Sequence, residues 1–523
     1  MLYFFTLKHL KISQVYYRLY YLLKRKFHVT KSHSSQGTLK KVNNYIEFKQ
    51  VLFSPVSYKT GSFTFLNRTI QFSDIIEWDY TGNGKLWTYN LNYFDFLLQP
   101  GMTEETGRTL MLDYIRHTST GSIGQDPYPT SIRGLNWVKF IALFKIKDRE
   151  ILQFLYADFL DLSNNVEYHL LGNHLLENGF SLFFGSCLFN DLVLYKKSRR
   201  ILLKQLDEQV LPDGAHAELS PMYHQLIVTR LLDCLNLLKN NPDFNQELLP
   251  YLKSKAVSML KWLKAITFNN GNIPLVNDSA FGISFTTKEL LDYSKSLGLE
   301  TEADKEYKMT SSGYRKFVTE HFELLFDCGK IGLDYQPGHA HSDVLSFELY
   351  SNNCPFIVDT GTSTYENNSR RHLERSTGSH NTVQVGKFEQ NEIWASHRVG
   401  RRGKITLKKD TPIEVIAEYT GYCRGDYIHR RTLNITSLSV VITDEVFTHS
   451  SNSSTAFFHF HPDVIVSIIS ENELKTSFGK MNFEGSGKLL LKEYFHGPEF
   501  NKLISSKVAE VEFQSQLRTT ILF

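Results

Sequence analysis

Two hydrophobic periods divide the chain. Between about residues 71 and 310, apolar positions recur every three or four residues in TLMLDYIRHT (109–118), NWVKFIALFKI (136–146), EILQFLYADFLDL (150–162), RILLKQLDEQVL (200–211), HQLIVTRLLDCLNLLK (224–239) and AVSMLKWLKAI (256–266). That spacing predicts amphipathic helices, separated by breaks rich in Gly, Pro, Asn or Asp such as NPDFNQ and FNNGNIP. Successive helical hairpins with no strand between them predict an (α/α) toroid, although the segments show no fixed-period repeat. After about residue 312 the period shortens. FELLFD, FIVDT, KITLKK, IEVIAEY, LSVVITDEVF, STAFFHFH, VIVSII, KLLLKEYF and VAEVEF are short β-branched or aromatic runs bounded by Gly, Asn, Ser and Asp, the signature of roughly a dozen strands. Without intervening helices these form an antiparallel sandwich. The expected organisation is α+β and multidomain: an N-terminal segment (1–70), helical and packed on the toroid; an (α/α) toroid (71–311); and an antiparallel β-sandwich (312–523). A cleft between such units is a natural ligand site.

Composition narrows this picture. A chain of 523 residues exceeds one ordinary core, and 41% hydrophobic with 22% charged residues is globular. An aromatic share of 13% suits sugar stacking as well as core filling. A net charge of +3 offers no support for a nucleic-acid partner, which would need a concentrated basic stripe. The five cysteines, Cys187, Cys234, Cys328, Cys354 and Cys423, include no close pair, so any metal would be held by His and carboxylate. The N-terminal stretch MLYFFTLKHLKISQ lacks the features of a signal peptide, and no transmembrane span is expected along the chain. YYRLYYLLKRK (Tyr16 to Lys26) is basic, aromatic and amphipathic; a membrane surface would suit it, but packing on its own domain is the preferred reading.

Four stretches carry chemistry. WTYNLNYFDFLL (Trp87 to Leu98) places Trp87, Tyr89 and Tyr93 where rings could line a sugar groove or fill a core. LGNHLLENGF (Leu171 to Phe180) opens a helix with Asn173 and His174, a cap or a carboxylate-binding pair. LPDGAHAELSPMYH (Leu211 to His224) runs through Glu218 to Ser220-Pro221, which starts a helix with Tyr223 in its first turn. A phenol near imidazoles can transfer protons. The fourth, GHAHSDVLSFELY (338–350), puts His339, His341 and Asp343 on the parity of Leu345, Phe347 and Leu349, as on one face of a strand. Asp359 ends FIVD and His380 precedes NTVQV. Two imidazoles and one carboxylate suit a zinc-type site, with Asp343 and Asp359 as rival carboxylates.

Taken together, NHLLENG, DGAHAELSPMYH, GHAHSD, FIVDTG and SHNTV, in that order, resemble the heparinase II/III-like family of polysaccharide lyases, which includes alginate lyases. The resemblance covers roughly residues 85 to 400 by motif. It implies the toroid-plus-sandwich fold and β-elimination on an acidic polysaccharide or oligosaccharide. By position it implies that Asn173 and His174 neutralise a uronate carboxylate, that Tyr223 donates a proton, and that His339 is the catalytic histidine of the β half. It further implies that His341, Asp359 and His380 hold a structural divalent metal, usually zinc. Glu218 and Arg375 lie beside the motifs and join Trp87, Tyr89 and Tyr93 as candidates for substrate contact. Two alternatives stand against it: a glycoside hydrolase on a helical toroid, using a carboxylate pair drawn from Asp213, Glu218 and Glu177, and a non-catalytic polysaccharide-binding or assembly protein.

Overall fold

The computed structural model describes residues 1–26, 46–73, 75–118, 121–299, 307–422, 427–448 and 453–523. The polar break Lys31–Gly37 and Cys423 lie outside these. The helices of the first half alternate between two layers. Pro127–Phe144, Gly172–Leu188 and Pro221–Asn240 are buried almost all round, whereas Glu104–His117, Arg149–Asn164, Leu192–Gln209 and Leu249–Ile266 bury one stripe each. An inner ring enclosed by an outer amphipathic ring is the double layer of an (α/α) toroid. Local chemistry sets the helix starts. Thr103, Asp148, Asp191 and Ser220 accept hydrogen bonds from backbone N–H groups of their own first turns, and Thr286 and Glu289 close a capping box.

Every strand pair described in the second half is antiparallel. A four-stranded sheet (Tyr314–Val318, Phe322–Asp327, Phe347–Ser351, Cys354–Ile357) faces a larger sheet that has the long hairpin Gly479–Glu499 and Lys502–Leu522 in its middle. Strands such as Glu414–Thr420 and Tyr427–Ile435 alternate buried and half-buried residues, as one solvated face requires. Phe322–Asp327 and Phe347–Ser351 are buried at every position, because both faces are covered. Leu324, Phe326, Phe347 and Leu349 enter the sandwich core. Leu325 and Tyr350 join Trp262, Ile266 and Phe268 of the helical half in a separate apolar cluster, with Tyr350 stacked on Phe268 at 3.8 Å. This seam fixes the two halves against each other beside the site.

Two expectations change. The N-terminal segment is not all helical: helices Leu2–Leu7 and Ile12–Lys26 are followed by a three-stranded sheet, Tyr58–Lys59, Ser62–Phe65 and Arg68–Gln71, whose Phe63 and Phe65 enter the helical core. Nor do His339, His341 and Asp343 lie on a strand. Pairing begins at Phe347, and Leu345 takes a left-handed φ of 62°, so residues 338–346 form an irregular loop. Strand parity therefore never applied to the two histidines.

Candidate active site

Two helix starts, carrying Asn173 and Tyr223, and two loops, carrying Asp278 and His339, bring the site together. At Leu171, Leu219 and Asn277 the backbone is left-handed (φ 65°, 56° and 54°). These strained positions stand just ahead of Asn173, Ser220 and Asp278 respectively, where they re-aim the chain towards the β half. Gly172 is required beside the first of them: a Cβ there would lie 2.3 Å from Glu218 Oε1. Asn277 links the loops, since its side chain donates to Leu219 O (3.0 Å) and accepts from His341 N (3.1 Å).

At the junction, Asn173 Nδ2 lies 3.4 Å from His339 Nε2, and the Tyr223 ring sits 4.0 Å from the His339 ring. Glu218 holds Asn173 by accepting from its backbone N (3.0 Å) and its Nδ2 (2.9 Å), leaving Asn173 Oδ1 without a partner. His174 stands on the same helix with Nδ1 on Glu167 Oε1 at 3.1 Å. Burial opposes its charge, but Glu167, Glu218 and Glu177 overrule it and raise its pKa. The half-buried rings of Tyr128, Tyr365 and His397 extend the cleft. Tyr128 lies 4.5 Å from His174 and Tyr365 lies 5.0 Å from His397.

Asp278 organises this array. Its carboxylate accepts from His339 Nδ1 (2.8 Å), His341 Nε2 (2.9 Å) and both terminal nitrogens of Arg371 (2.5 and 2.7 Å). Burial alone would raise its pKa; Arg371 and the two histidines hold it well below the usual carboxylate range. An ionised Asp278 fixes the His339 proton on Nδ1 and turns the Nε2 lone pair into the cleft. Tyr223 is the opposite case. Burial first, then Tyr365, Asp278 and Glu218, push its phenol well above its ordinary value, so it carries its proton.

The expected metal residues gather beneath this floor. His341 donates through Nε2 to Asp278, and His380 donates through Nδ1 to Asp359 Oδ2 at 2.7 Å. The opposite ring nitrogens, His341 Nδ1 and His380 Nε2, are buried without partners, as is Asp343 Oδ2. The two rings lie 5.3 Å apart. Imidazoles oriented by carboxylates, with bare lone pairs on their far sides, fit a metal's inner ligands. Among the described residues, however, the trio whose donor atoms all lie within 4.8 Å of one another is Asp278, His339 and His397.

Other expected contacts fall elsewhere. Trp87 is fully buried, with Nε1 donating to Arg68 O and its ring against Phe65 and Tyr80; it is a core residue, not a groove wall. Arg375 is also fully buried, and its guanidinium is spent on the carbonyls of Ala340, Ala395 and Ser396, so it braces the histidine loop instead of meeting substrate. Tyr89, bonded to Asp126 Oδ2, and Tyr93 continue a row of rings through Tyr128 to His174. Sequence reasoning missed Asp278, Arg371, Tyr365, His397 and Tyr128. Each stands in an unremarkable local sequence, and only spatial convergence marks it.

The hydrolase reading loses its carboxylates. Glu177 pairs with Arg230 at 2.9 Å, Asp213 accepts from Ser312 N and Oγ, and Glu218 is committed to Asn173. What fold and cleft define together is a polysaccharide lyase of the toroid-and-sandwich class. Two family models match the chain, Heparinase II/III N-terminus over residues 133–297 and Heparinase II/III-like, C-terminal over residues 304–496. Together they take in most of the sequence, and the chain belongs to the heparinase II/III-like polysaccharide lyase family. Similar solved structures include heparinase III, with a TM-score of 0.63 and 16% identity over 86% of this chain and 80% of that one. Others are a heparan sulfate lyase of Pedobacter heparinus (TM-score 0.56, 15% identity, 88% and 81%) and the Streptomyces coelicolor A3 chondroitin AC lyase in complex with chondroitin sulphate (TM-score 0.51, 10% identity, 84% and 74%). These likenesses establish the fold. No curated protein sequence matches the chain.

Proposed function

We propose that the chain cleaves a uronic-acid-containing polysaccharide by β-elimination in the cleft between its two halves. The observation that carries this is the meeting of Asn173, Tyr223 and His339 across the domain junction, with Asn173 Nδ2 3.4 Å from His339 Nε2. The C5 proton of a uronate becomes removable only if the charge growing on its carboxylate is stabilised by preorganised donors. Asn173 and His174 supply an amide and an imidazole whose pKa is raised by neighbouring glutamates. His339 Nε2 is the base, oriented through Nδ1 by Asp278. Tyr223 is the acid that protonates the departing C4 oxygen. Tyr89 and Tyr128 form a wall for flanking sugars, with the buried Tyr93 packed between them, and Glu218 positions Asn173. The preferred substrate class is a non-sulfated uronate polymer: Arg230, Arg371 and Arg375 beside the cleft are spent on Glu177, on Asp278 and on backbone carbonyls instead of standing free for sulfate groups.

Incubating the purified protein with a panel of uronic-acid polysaccharides should produce the ultraviolet absorbance of an unsaturated uronate. New reducing ends without that absorbance would mean hydrolysis, and binding without either product would mean a non-catalytic protein. His339→Ala should lower turnover by about 10²–10⁴-fold with an unchanged far-ultraviolet circular dichroism spectrum.

The partnerless nitrogens of His341 and His380 and the partnerless Asp343 Oδ2 support a divalent ion, zinc by its preference for imidazole and carboxylate, with Asp343 as the carboxylate and Asp359 orienting His380 from the opposite side of its ring. Such an ion would supply fixed positive charge that stiffens the β-side wall. His341→Ala is expected to reduce metal content, measured by plasma emission, and to lower the thermal midpoint. An unchanged metal content would remove His341 from the ligand set.

A further inference from the structure

The helix Ile12–Lys26 is inverted. Its hydrogen-bonding side faces the protein: buried Gln14 donates to Leu170 O and Tyr335 O, Tyr21 OH bonds Val166 O, Tyr17 stacks on Tyr168 at 4.7 Å, and Lys24 reaches Asn164 O and Asn165. The side turned outward is apolar. Ile12, Val15, Tyr16, Leu19, Tyr20, Leu22 and Leu23 recur at helical spacing, and Ile12, Leu19, Leu22 and Leu23 are 88%, 58%, 62% and 55% exposed. The short helix Leu2–Leu7 adds exposed Tyr3, Phe4 and Leu7, and it is pinned to the β half by Trp394, whose Nε1 donates to Thr6 Oγ1. A continuous apolar surface of this kind marks an interaction site.

Its surroundings identify the occupant. The first acidic residue of the chain is Glu47, whereas Lys8, Arg18, Lys24 and Lys26 precede it; Lys11 is paired with Glu208 and takes no part. Neighbouring elements add more cations at the same edge: Arg398 lies close enough to Arg18, and Lys197 to Lys24, for each pair to interact. Lys196, Arg200 and Lys204 stand exposed on the adjacent helix Leu192–Gln209. We infer that the exposed apolar stripe of helix Ile12–Lys26, with its basic rim, docks the enzyme on the surface of an anionic phospholipid bilayer. The helix lies in the plane of the interface, leucines and tyrosines enter the acyl boundary, and the lysines and arginines meet lipid phosphates. No helix of the described residues is long and apolar enough to cross a membrane. A second copy of the chain is a poorer partner, because a two-fold contact through this stripe would bring the two basic rims together.

The test is flotation of the full-length protein with vesicles of phosphatidylglycerol and phosphatidylcholine, against vesicles of phosphatidylcholine alone. The protein should float with the anionic vesicles at low salt, be released at high salt and stay behind with the neutral ones. The double substitution Leu19→Glu/Leu23→Glu should lower vesicle binding by more than about tenfold, with the thermal midpoint and activity on soluble substrate unchanged, since neither residue packs in the core or touches the cleft. Lys8→Glu/Lys26→Glu should weaken binding and flatten its salt dependence. Failure to float with anionic vesicles, or equal flotation of the leucine variant, would overturn the inference. So would a lipid-free dimer that Leu19→Glu/Leu23→Glu converts to monomer, which would assign the stripe to a second copy.

Discussion

Tyr223→Phe is expected to leave a folded protein whose elimination rate is about 10²–10⁴-fold lower. The phenol is the group best placed to give up a proton. Burial and the nearby Tyr365, Asp278 and Glu218 keep it protonated, and its ring lies 4.0 Å from that of His339, the proposed base. Its hydroxyl bonds Tyr365 OH at 3.3 Å, a long neutral contact whose removal costs about 1 kcal/mol or less. Phenylalanine keeps the ring packing against His339, so the thermal midpoint should barely move. The measurement is the initial rate of unsaturated product beside a thermal melt. Undiminished activity would pass the donor role to another group, and Tyr365 is the nearest other phenol.

Asp278→Asn is expected to damage activity and stability together. An orienting carboxylate behind a catalytic imidazole is worth up to about 10⁴-fold in turnover, because an amide can stabilise the wrong tautomer. At the same time Arg371, fully buried, loses the carboxylate that pairs both of its terminal nitrogens. Leaving one member of a buried ion pair unpartnered costs about 3–5 kcal/mol, which chemical denaturation would measure directly. Arg371→Met in the same background should recover part of the stability without recovering turnover. That split separates the two roles: a purely structural Asp278 would regain activity together with stability.

The inter-domain seam explains why the site can be both rigid and strained. Left-handed residues at Leu171, Leu219 and Asn277 are unfavourable locally, by on the order of 1–3 kcal/mol each. Those at Leu219 and Asn277 persist because the Asn277 hydrogen bonds tie their loops to each other and to His341, and that at Leu171 because Glu167, Gln209 and Glu218 bond the backbone on either side of it. A lyase needs its donors fixed before charge develops, and fixed loops supply that preorganisation.

How much of this was legible depends on the range of each signal. The 3.6-residue and 2-residue periods are local, so the helical half and the β half could be read directly, with the change of period placed near residue 312. The motifs were legible too, because Asn173 and His174 are neighbours in the chain and the Ser220 cap sets Tyr223 in the first turn of its helix. The parity of GHAHSDVLSFELY misled, because one left-handed residue at Leu345 detaches the histidines from the strand. Trp87 and Arg375 misled because exposure is not a property of a residue's neighbours in sequence. Asp278, which gathers His339, His341 and Arg371, has no local signature at all. Period and capping are written in neighbouring residues, and the sequence determined those. Which carboxylate faces which imidazole, and which side of the first long helix faces outward, depend on how distant segments pack, and only the tertiary structure decided them.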